Sequence, residues 1–301
     1  MFLRQLTYLV ALDQYRHFSR AAEHCGVSQP ALSAAIRQLE NELGLTIIQR
    51  NRRFQGFTPA GERVLAWAHE TLADLGNLRQ EASFAQDIAG GSISLCAIPP
   101  TVLVLPLLLE SFRAVLPALH VNATICPNAD ALHHLQEHRS QLALMYLDQV
   151  PSGGLFDTHP LYDEQQVLAA APSVALPGTR HIGWEDLSDL PLGLLNNDMR
   201  CRQFVNAAFQ SAGITPTITL ETNSVTLLHA ELLNGRIATI LPIAALPLQA
   251  TPDGPLQIRK LAPTNGSTIG LVRLARPMQT ALTTRMWEIG CRLSLDDVFT
   301  L

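Results

Sequence analysis

Lysine is almost missing from this chain: of its 21 basic residues only Lys260 is one, and the other 20 are arginines. Paired cysteines are missing too. The five cysteines, at 25, 96, 126, 201 and 291, form no C-x-x-C, and an odd, scattered set reads as reduced thiols in a cytoplasmic protein rather than as a disulfide framework. The most apolar stretch, Val102 to Leu109, is interrupted by Pro106 and is too short to cross a bilayer. The opening Met-Phe-Leu-Arg-Gln carries a charge at its fourth residue, against a secretory signal. There is no G-x-S-x-G elbow, Walker loop, G-x-G-x-x-G or H-E-x-x-H, so nothing asks for catalysis, a cofactor or a metal. No fixed-period repeat and no low-complexity tract interrupts the chain.

What is present is a globular composition: 301 residues, 47% hydrophobic and 16% charged, enough for about two domains with cores that need no staples. The net charge of -5, taken as an average, argues against a phosphate backbone as partner. Its distribution reverses that inference. Residues 1 to 60 hold seven arginines against four acids and stand at +3, which leaves -8 on the remaining 241 residues. A basic head precedes an acidic remainder.

Leu3, Leu6, Leu9 and Val10 fall on helical spacing, giving a first amphipathic helix over residues 3–14. Ser19 is placed to cap a short second helix that Gly26 stops. Ser28 caps a third, with Pro30 in its first turn, running to Leu43 and closed by Gly44. Two short helices joined by a tight turn make a helix-turn-helix. Arg50 to Phe57 then alternates basic and aromatic residues, as a two-stranded wing does. Thr58 and Pro59 open a long helix in which Val64, Ala68, Thr71, Leu75, Leu78, Ala82 and Ala85 step by alternating fours and threes. That period describes a coiled-coil seam, met either by a partner helix or by the helix's own domain. Beyond Gly90 and Gly91, β-like runs alternate with helical ones to the end, the sign of an α/β unit with a mostly parallel sheet.

The third helix carries Leu32, Ile36 and Leu39 on one side and Gln29, Ser33, Ala34 and Arg37 on the other. Apolar anchors behind short polar side chains suit a helix that sinks into a major groove, where Gln29 can bond an adenine edge and Ser33 and Arg37 reach a base or phosphate. An ordinary amphipathic helix has the same stripe. Arg50, Arg52 and Arg53, with Phe54 and Phe57, suit phosphate or minor-groove contact from the wing.

The run Phe18, Ser19, Ala21, Ala22, Val27, Ser28, Gln29, Pro30, Ala31, Leu32, Ser33, Ile36, Leu39, Glu40, Leu43, Gly44, Arg50, Thr58, Pro59, Ala60, Gly61 resembles the N-terminal signature of LysR-type transcriptional regulators. The resemblance implies a winged helix-turn-helix over residues 1–58 and a dimerising linker helix over 59–89. It implies a two-lobed α/β effector domain like periplasmic binding proteins over 90–301, with lobe I about 90–162 and 269–301 and lobe II about 163–268. Promoter DNA is the implied partner, met by Arg4, Ser19, Arg20, Ser28, Gln29, Pro30, Ser33, Arg37, Arg50, Arg52 and Arg53. Also implied are dimers pairing into a homotetramer, RNA polymerase as a further partner, no membrane, and a small anionic effector whose binding alters the spacing and bending of the DNA. One departure stands out: many relatives carry an arginine after the serine that matches Ser33, and this chain has Ala34.

The family holds its effector between the lobes, facing helix N-termini whose free N–H groups and dipole favour an anion. Three segments here fit: Pro99, Pro100 and Thr101; Asn197 to Arg202; and Thr222, Asn223 and Ser224. Plain N-caps explain each equally well. The candidate effector residues are Pro100, Thr101, Asn197, Arg200, Cys201, Arg202, Asn223 and Ser224. Arg200 and Arg202 can clamp a carboxylate. Alternatively Cys201, flanked by both arginines, is a redox thiolate, near the reactive cysteine of the family's peroxide-sensing branch but without that branch's second cysteine, or simply a buried thiol. The Pro-Pro-Thr turn and the segment around Cys201 are similar to those of regulators encoded beside small-acid metabolism, including formate dehydrogenase genes, which points to a small carboxylate. His133, His134 and His138 read as a solvated helix face, since no cysteine or carboxylate at metal-ligand spacing joins them.

Overall fold

A computed structural model describes residues 3–50, 54–84, 91–177, 181–246, 256–262, 266–295 and 299. The chain divides into two units, 1–88 and 89–301.

In the first unit, α1 (Leu3–Tyr15), α2 (Phe18–His24) and α3 (Gln29–Leu43) precede a hairpin of β1 (Ile48–Arg50) and β2 (Phe54–Phe57) and the long α4 (Pro59–Phe84). Local chemistry sets these boundaries. The Ser28 hydroxyl accepts from the Ala31 N–H and Gly44 closes α3 at φ 67, a left-handed conformation open to glycine without a Cβ clash. Ser19 departs from expectation: α2 begins at Phe18 behind His17, with no side-chain cap, so Ser19 lies inside the helix. Leu9, Leu12, Leu32, Ile36, Leu39 and Ile47 are fully buried and form the core. Glu40 pins α3 to the wing, its Oε1 accepting from the Ile47 and Ile48 N–H groups at 2.9 and 3.1 Å. Thr58 donates to the Thr46 carbonyl at 2.6 Å and accepts from the Gly61 N–H at 2.9 Å, so it caps α4 while tying it to the wing.

The seam on α4 divides. Ala68 is buried and Val64 half-buried within this unit's core, while Thr71, Leu78 and Ala82 are exposed; Ala85 lies outside the described residues. Trp67 and Leu78, 69% and 66% exposed, leave large apolar side chains on the helix surface.

The second unit holds two sheets. The first is built from β3 (Ser92–Ala97), β4 (His120–Ile125), β5 (Leu142–Tyr146), β6 (Phe156–Asp163) and a late strand, β13 (Thr268–Leu274), in the order β4-β3-β5-β13-β6. It is covered by α5 (Leu105–Val115), α6 (Asn128–Gln136) and α9 (Ala281–Cys291). The second sheet runs in the order β10-β9-β11-β7-β12-β8. Its strands are β7 (Gln166–Ala170), β8 (His181–Gly183), β9 (Leu192–Leu195), β10 (Ile218–Thr222), β11 (Ala238–Pro242) and β12 (Gln257–Ala262), with α7 (Arg200–Ala212) and α8 (Val225–Leu233).

The expectation of a mostly parallel sheet needs correction. β3, β4 and β5 are parallel, as are β9, β10 and β11 and the pair β8 and β12, but β13 is antiparallel to both neighbours and so is β7. The antiparallel strands sit next to the points where the chain passes between sheets, after β6 and after β12. A strand arriving from the other sheet is free of the crossover-helix constraint that makes neighbours parallel. Strands β5, β7, β9 and β11 are buried along their whole length, which is why they read as continuous apolar runs instead of alternating ones.

Candidate functional site

On α3 the buried residues Leu32, Ile36 and Leu39 leave Gln29, Pro30, Ala34 and Arg37 exposed and Ser33 half-buried. Gln29, Ser33 and Arg37 follow one another at four-residue steps and so share a face of the helix. Arg4 on α1, and Ser19 and Arg20 on α2, are exposed as well, as is Ser28. Arg52 and Arg53 lie outside the described residues, as does the side chain of Arg50. A capped, rigidly anchored helix presenting short polar side chains and an arginine is what major-groove reading requires.

The second unit encloses a cleft of about 720 Å³ between its sheets, bordered on one side by Pro100, Asn128 and Tyr146 and on the other by Arg200, Asn223 and Ser224. Three helices begin at this cleft: α6 at Asn128, α7 at Arg200 and α8 behind Ser224, whose hydroxyl accepts from the Leu227 N–H. Each end brings first-turn N–H groups that have no partner within the helix and a partial positive charge of about 0.5. Arg200 adds a full one. Its guanidinium reaches across the cleft to Asp148, in the turn after β5, with Nε and Nη2 donating to Oδ2 at 3.1 and 2.5 Å, and it lies 4.3 Å from the Phe204 ring centroid.

Several expected residues stand elsewhere. Arg202 does not border the cleft: it is 4% exposed, and it donates to the Leu195 carbonyl, Glu221 and Asn206 at 2.5, 2.8 and 2.7 Å. A carboxylate clamp by Arg200 and Arg202 together is therefore corrected. Two residues along a helix turn about 200°, so the pair cannot face one ligand. Thr101 is fully buried and its hydroxyl donates to the Ile98 carbonyl at 2.9 Å. The turn Pro99–Thr101 supplies no free donor, because its prolines have no N–H and the Thr101 N–H bonds Ile98. Asn197 accepts from Asn206 instead of bordering the cleft.

Cys201 borders the cleft yet is 2% exposed, and burial, with the Glu164 carboxyl beside it, pushes its thiol up to about 12. Glu164 itself is buried at the passage between sheets, accepting from the Tyr146 hydroxyl at 2.7 Å and from Gln166 at 3.1 Å, and burial raises it to about 8.

Sequence reasoning missed Asn128 and His229. Both border the cleft with buried polar atoms that have no partner, both atoms of the Asn128 amide and Nε2 of His229. Burial lowers the His229 pKa, so its ring is neutral at pH 7. No local motif marks either residue; a helix-start asparagine and a lone histidine look the same when solvated.

His134 departs from the solvated face expected of it. The His138 backbone has left the helix at φ 56 and His133 pairs with Glu137 at 2.8 Å, but His134 is half-buried and one of its ring nitrogens lies within 4.8 Å of both the Cys96 and Cys126 sulfurs. The two thiols interact, a shared hydrogen bond raising Cys96 and lowering Cys126.

Residues 3–62 match the bacterial regulatory helix-turn-helix protein of the lysR family and residues 87–289 the LysR substrate binding domain. The DNA-binding transcriptional dual regulator OxyR of Escherichia coli (strain K12) is 31% identical over 279 residues, 90% of this chain and 89% of that protein. The probable hydrogen peroxide-inducible genes activator of Streptomyces viridosporus is 33% identical over 276 residues, 89% and 86% of the two chains. Among solved structures, full-length OxyR from Pseudomonas aeruginosa superposes with a TM-score of 0.73 at 25% identity over all of both chains. CbnR, a LysR family regulator, gives 0.68 at 21% identity over 98% of this chain and all of that one, a likeness of fold. Among the described residues no helix is long and apolar enough to cross a membrane. With a winged helix-turn-helix at one end, a two-sheet cleft at the other and both halves matching the same family, the chain belongs to the LysR-type transcriptional regulators.

Proposed function

We propose that this regulator is controlled by a small carboxylate held in the cleft of its second unit. The observation that carries the reading is Arg200: a guanidinium at the start of α7, in a cleft where α6 and α8 also begin. A ligand carboxylate there meets a bidentate donor and the N-terminal ends of three helices. Because Arg200 also holds Asp148 on the opposite side, a ligand that engages it changes the tie across the cleft, and a changed spacing of the two sheets is the step that alters the DNA-bound arrangement. Asn128 and Asn223 complete the polar lining, and neutral His229 accepts from a ligand hydroxyl.

On DNA, Gln29 and Ser33 read base edges while Arg4, Ser19, Arg20, Ser28, Arg37, Arg50, Arg52 and Arg53 meet phosphates, with Pro30 setting the start of α3. Dimerisation through the exposed apolar side of α4, pairing of dimers into a tetramer and contact with RNA polymerase belong to the same reading. The chain acts by binding and has no catalytic role. Calorimetric titration with formate, acetate and succinate tests the ligand: saturable binding of one of them that Arg200→Ala abolishes is expected. Equal binding by the wild type and that variant defeats the assignment.

A second reading rests on the relatives, named hydrogen peroxide-inducible genes activators; one related solved structure, a Corynebacterium glutamicum OxyR mutant, is described as hydrogen peroxide-bound. In it Cys201 is a thiol sensor. The burial of Cys201 weighs against it, because a thiol near 12 leaves almost no thiolate at pH 7. Peroxide-dependent transcription that Cys201→Ser abolishes, with carboxylates inert, would favour this reading over the first.

A further inference from the structure

Far apart in sequence, Cys96, Cys126 and His134 meet in the first sheet's side of the second unit. Cys96 lies on β3, opposite Thr124 of β4 in the parallel ladder; Cys126 follows the end of β4; His134 sits on α6. Their two sulfurs and one ring nitrogen are all within 4.8 Å of one another. We propose that these three side chains bind one zinc-class divalent cation in a Cys2His site, with a fourth position for water.

The donor set and its spacing carry the proposal. Zinc bonds thiolate sulfur at about 2.3 Å and imidazole nitrogen at about 2.0–2.1 Å, so ligand atoms around one tetrahedral ion stand roughly 3.3–3.8 Å apart. Three atoms already inside a 4.8 Å limit reach that arrangement by small rotations about their side-chain bonds. Two thiolates and an imidazole select a thiophilic cation over magnesium or calcium, which take oxygen ligands. Charge balances as well: each thiol releases its proton to solvent as its sulfur–metal bond forms, and two thiolates with a divalent cation are neutral, so the buried cluster carries no net charge. Asp130, one turn before His134 on α6, acts on both Cys126 and His134; Glu137 also favours a cation beside His134, and Arg139 and His133 oppose it.

Access and rigidity support the same conclusion. Cys96 is fully buried, with its sulfur 3.7 Å from the Ala131 and Leu142 carbonyls, but Cys126 borders the cleft and His134 is half-buried, so an ion can enter from their side. The ladder between β3 and β4 fixes Cys96, and the Cys126 N–H donating to the Ala97 carbonyl at 3.0 Å just past the ladder's end fixes the second ligand, before any ion arrives. The site is separate from Arg200 and does not depend on the effector reading.

The experiment is a titration of the reduced, full-length protein with Co²⁺, whose tetrahedral thiolate complexes absorb in the visible and near ultraviolet. The expected result is ligand-field and sulfur-to-cobalt bands saturating at one equivalent per chain and bleached by one equivalent of Zn²⁺. Cys126→Ser, an isosteric change at a buried position beside the cleft, and His134→Ala, at a half-buried one, weaken Co²⁺ binding at least about 100-fold, since even residues that merely orient a ligand cost 10–100-fold. Cys25→Ser and Cys201→Ser leave the spectrum unchanged. Absence of the bands overturns the proposal, and so do bands that survive in both Cys126→Ser and His134→Ala.

Discussion

Arg200 and Asp148, 52 residues apart and on opposite sides of the cleft, form the ion pair that ties the second unit's two halves together at the place where α7 begins. Both partners are about one-third exposed, so the pair contributes only about 0.5–1 kcal/mol. Its significance is positional, since the arginine that an anionic ligand needs is already in use.

Removing the competitor should help the ligand. Asp148→Asn is expected to tighten binding of the responding carboxylate by about 2–5-fold, the equivalent of the pair's modest energy, while Arg200→Ala weakens it. Isothermal titration calorimetry of both variants decides this. A loss of affinity in Asp148→Asn would mean that the aspartate supports the site instead of competing for it.

The buried Glu164 makes stability depend on pH. Its folded pKa of about 8 lies above the unfolded value near 4.5, so the folded state retains a proton that the unfolded state loses. Its contribution is full below pH 4.5 and disappears as pH rises towards 8, with a slope of at most about 1.4 kcal/mol per pH unit. Urea midpoints measured from pH 5 to 9 should fall more steeply for the wild type than for Glu164→Gln, whose amide oxygen still accepts from Tyr146. Parallel curves would show that Glu164 does not titrate in this window.

Gln29 and Arg37 should fail differently on DNA. Gln29→Ala is expected to cost about 1–3 kcal/mol on the preferred site and to relax its sequence preference. Arg37→Ala, which removes a phosphate contact, weakens binding to all sequences and lowers the slope of log affinity against log salt by about one. Fluorescence anisotropy at several salt concentrations separates the two, and the same salt slope in both variants contradicts the assignment of roles.

Gly61 tests the joint between wing and α4. A Cβ there would stand 2.1 Å from the Ile47 carbonyl oxygen, a backbone atom that can move only if β1 moves. Alanine gains up to about 1 kcal/mol of helix propensity over glycine, yet overpacking costs about 1–3 kcal/mol, so Gly61→Ala should be net destabilising and lower the urea midpoint. A stabilised variant would show that α4 can shift away from the wing.

Much of the first unit was legible because its signals are local. Ser28, Pro30 and Gly44 delimit α3 through bonds made within a few residues, and Leu32, Ile36 and Leu39 declare its inner face by spacing alone. The cleft was legible in part. The start of α8 follows from Ser224, whose hydroxyl caps it, but α7 begins behind Met199 with no side-chain cap, and Ser19 does not cap α2 because a serine near a helix start caps it only if the backbone there is extended, and His17 takes that position.

By itself the sequence determined the basic reading head, its capped recognition helix and the alternation of strand and helix behind it, since periodicity and capping act over one or two turns. Only the tertiary structure decided that Arg200 faces the cleft while Arg202 braces β9 and β10. It alone made Thr101 and Cys201 buried groups and brought Cys96 and Cys126 to His134. These outcomes depend on which side of a helix or strand meets another element many residues away, and no short-range pattern encodes that choice.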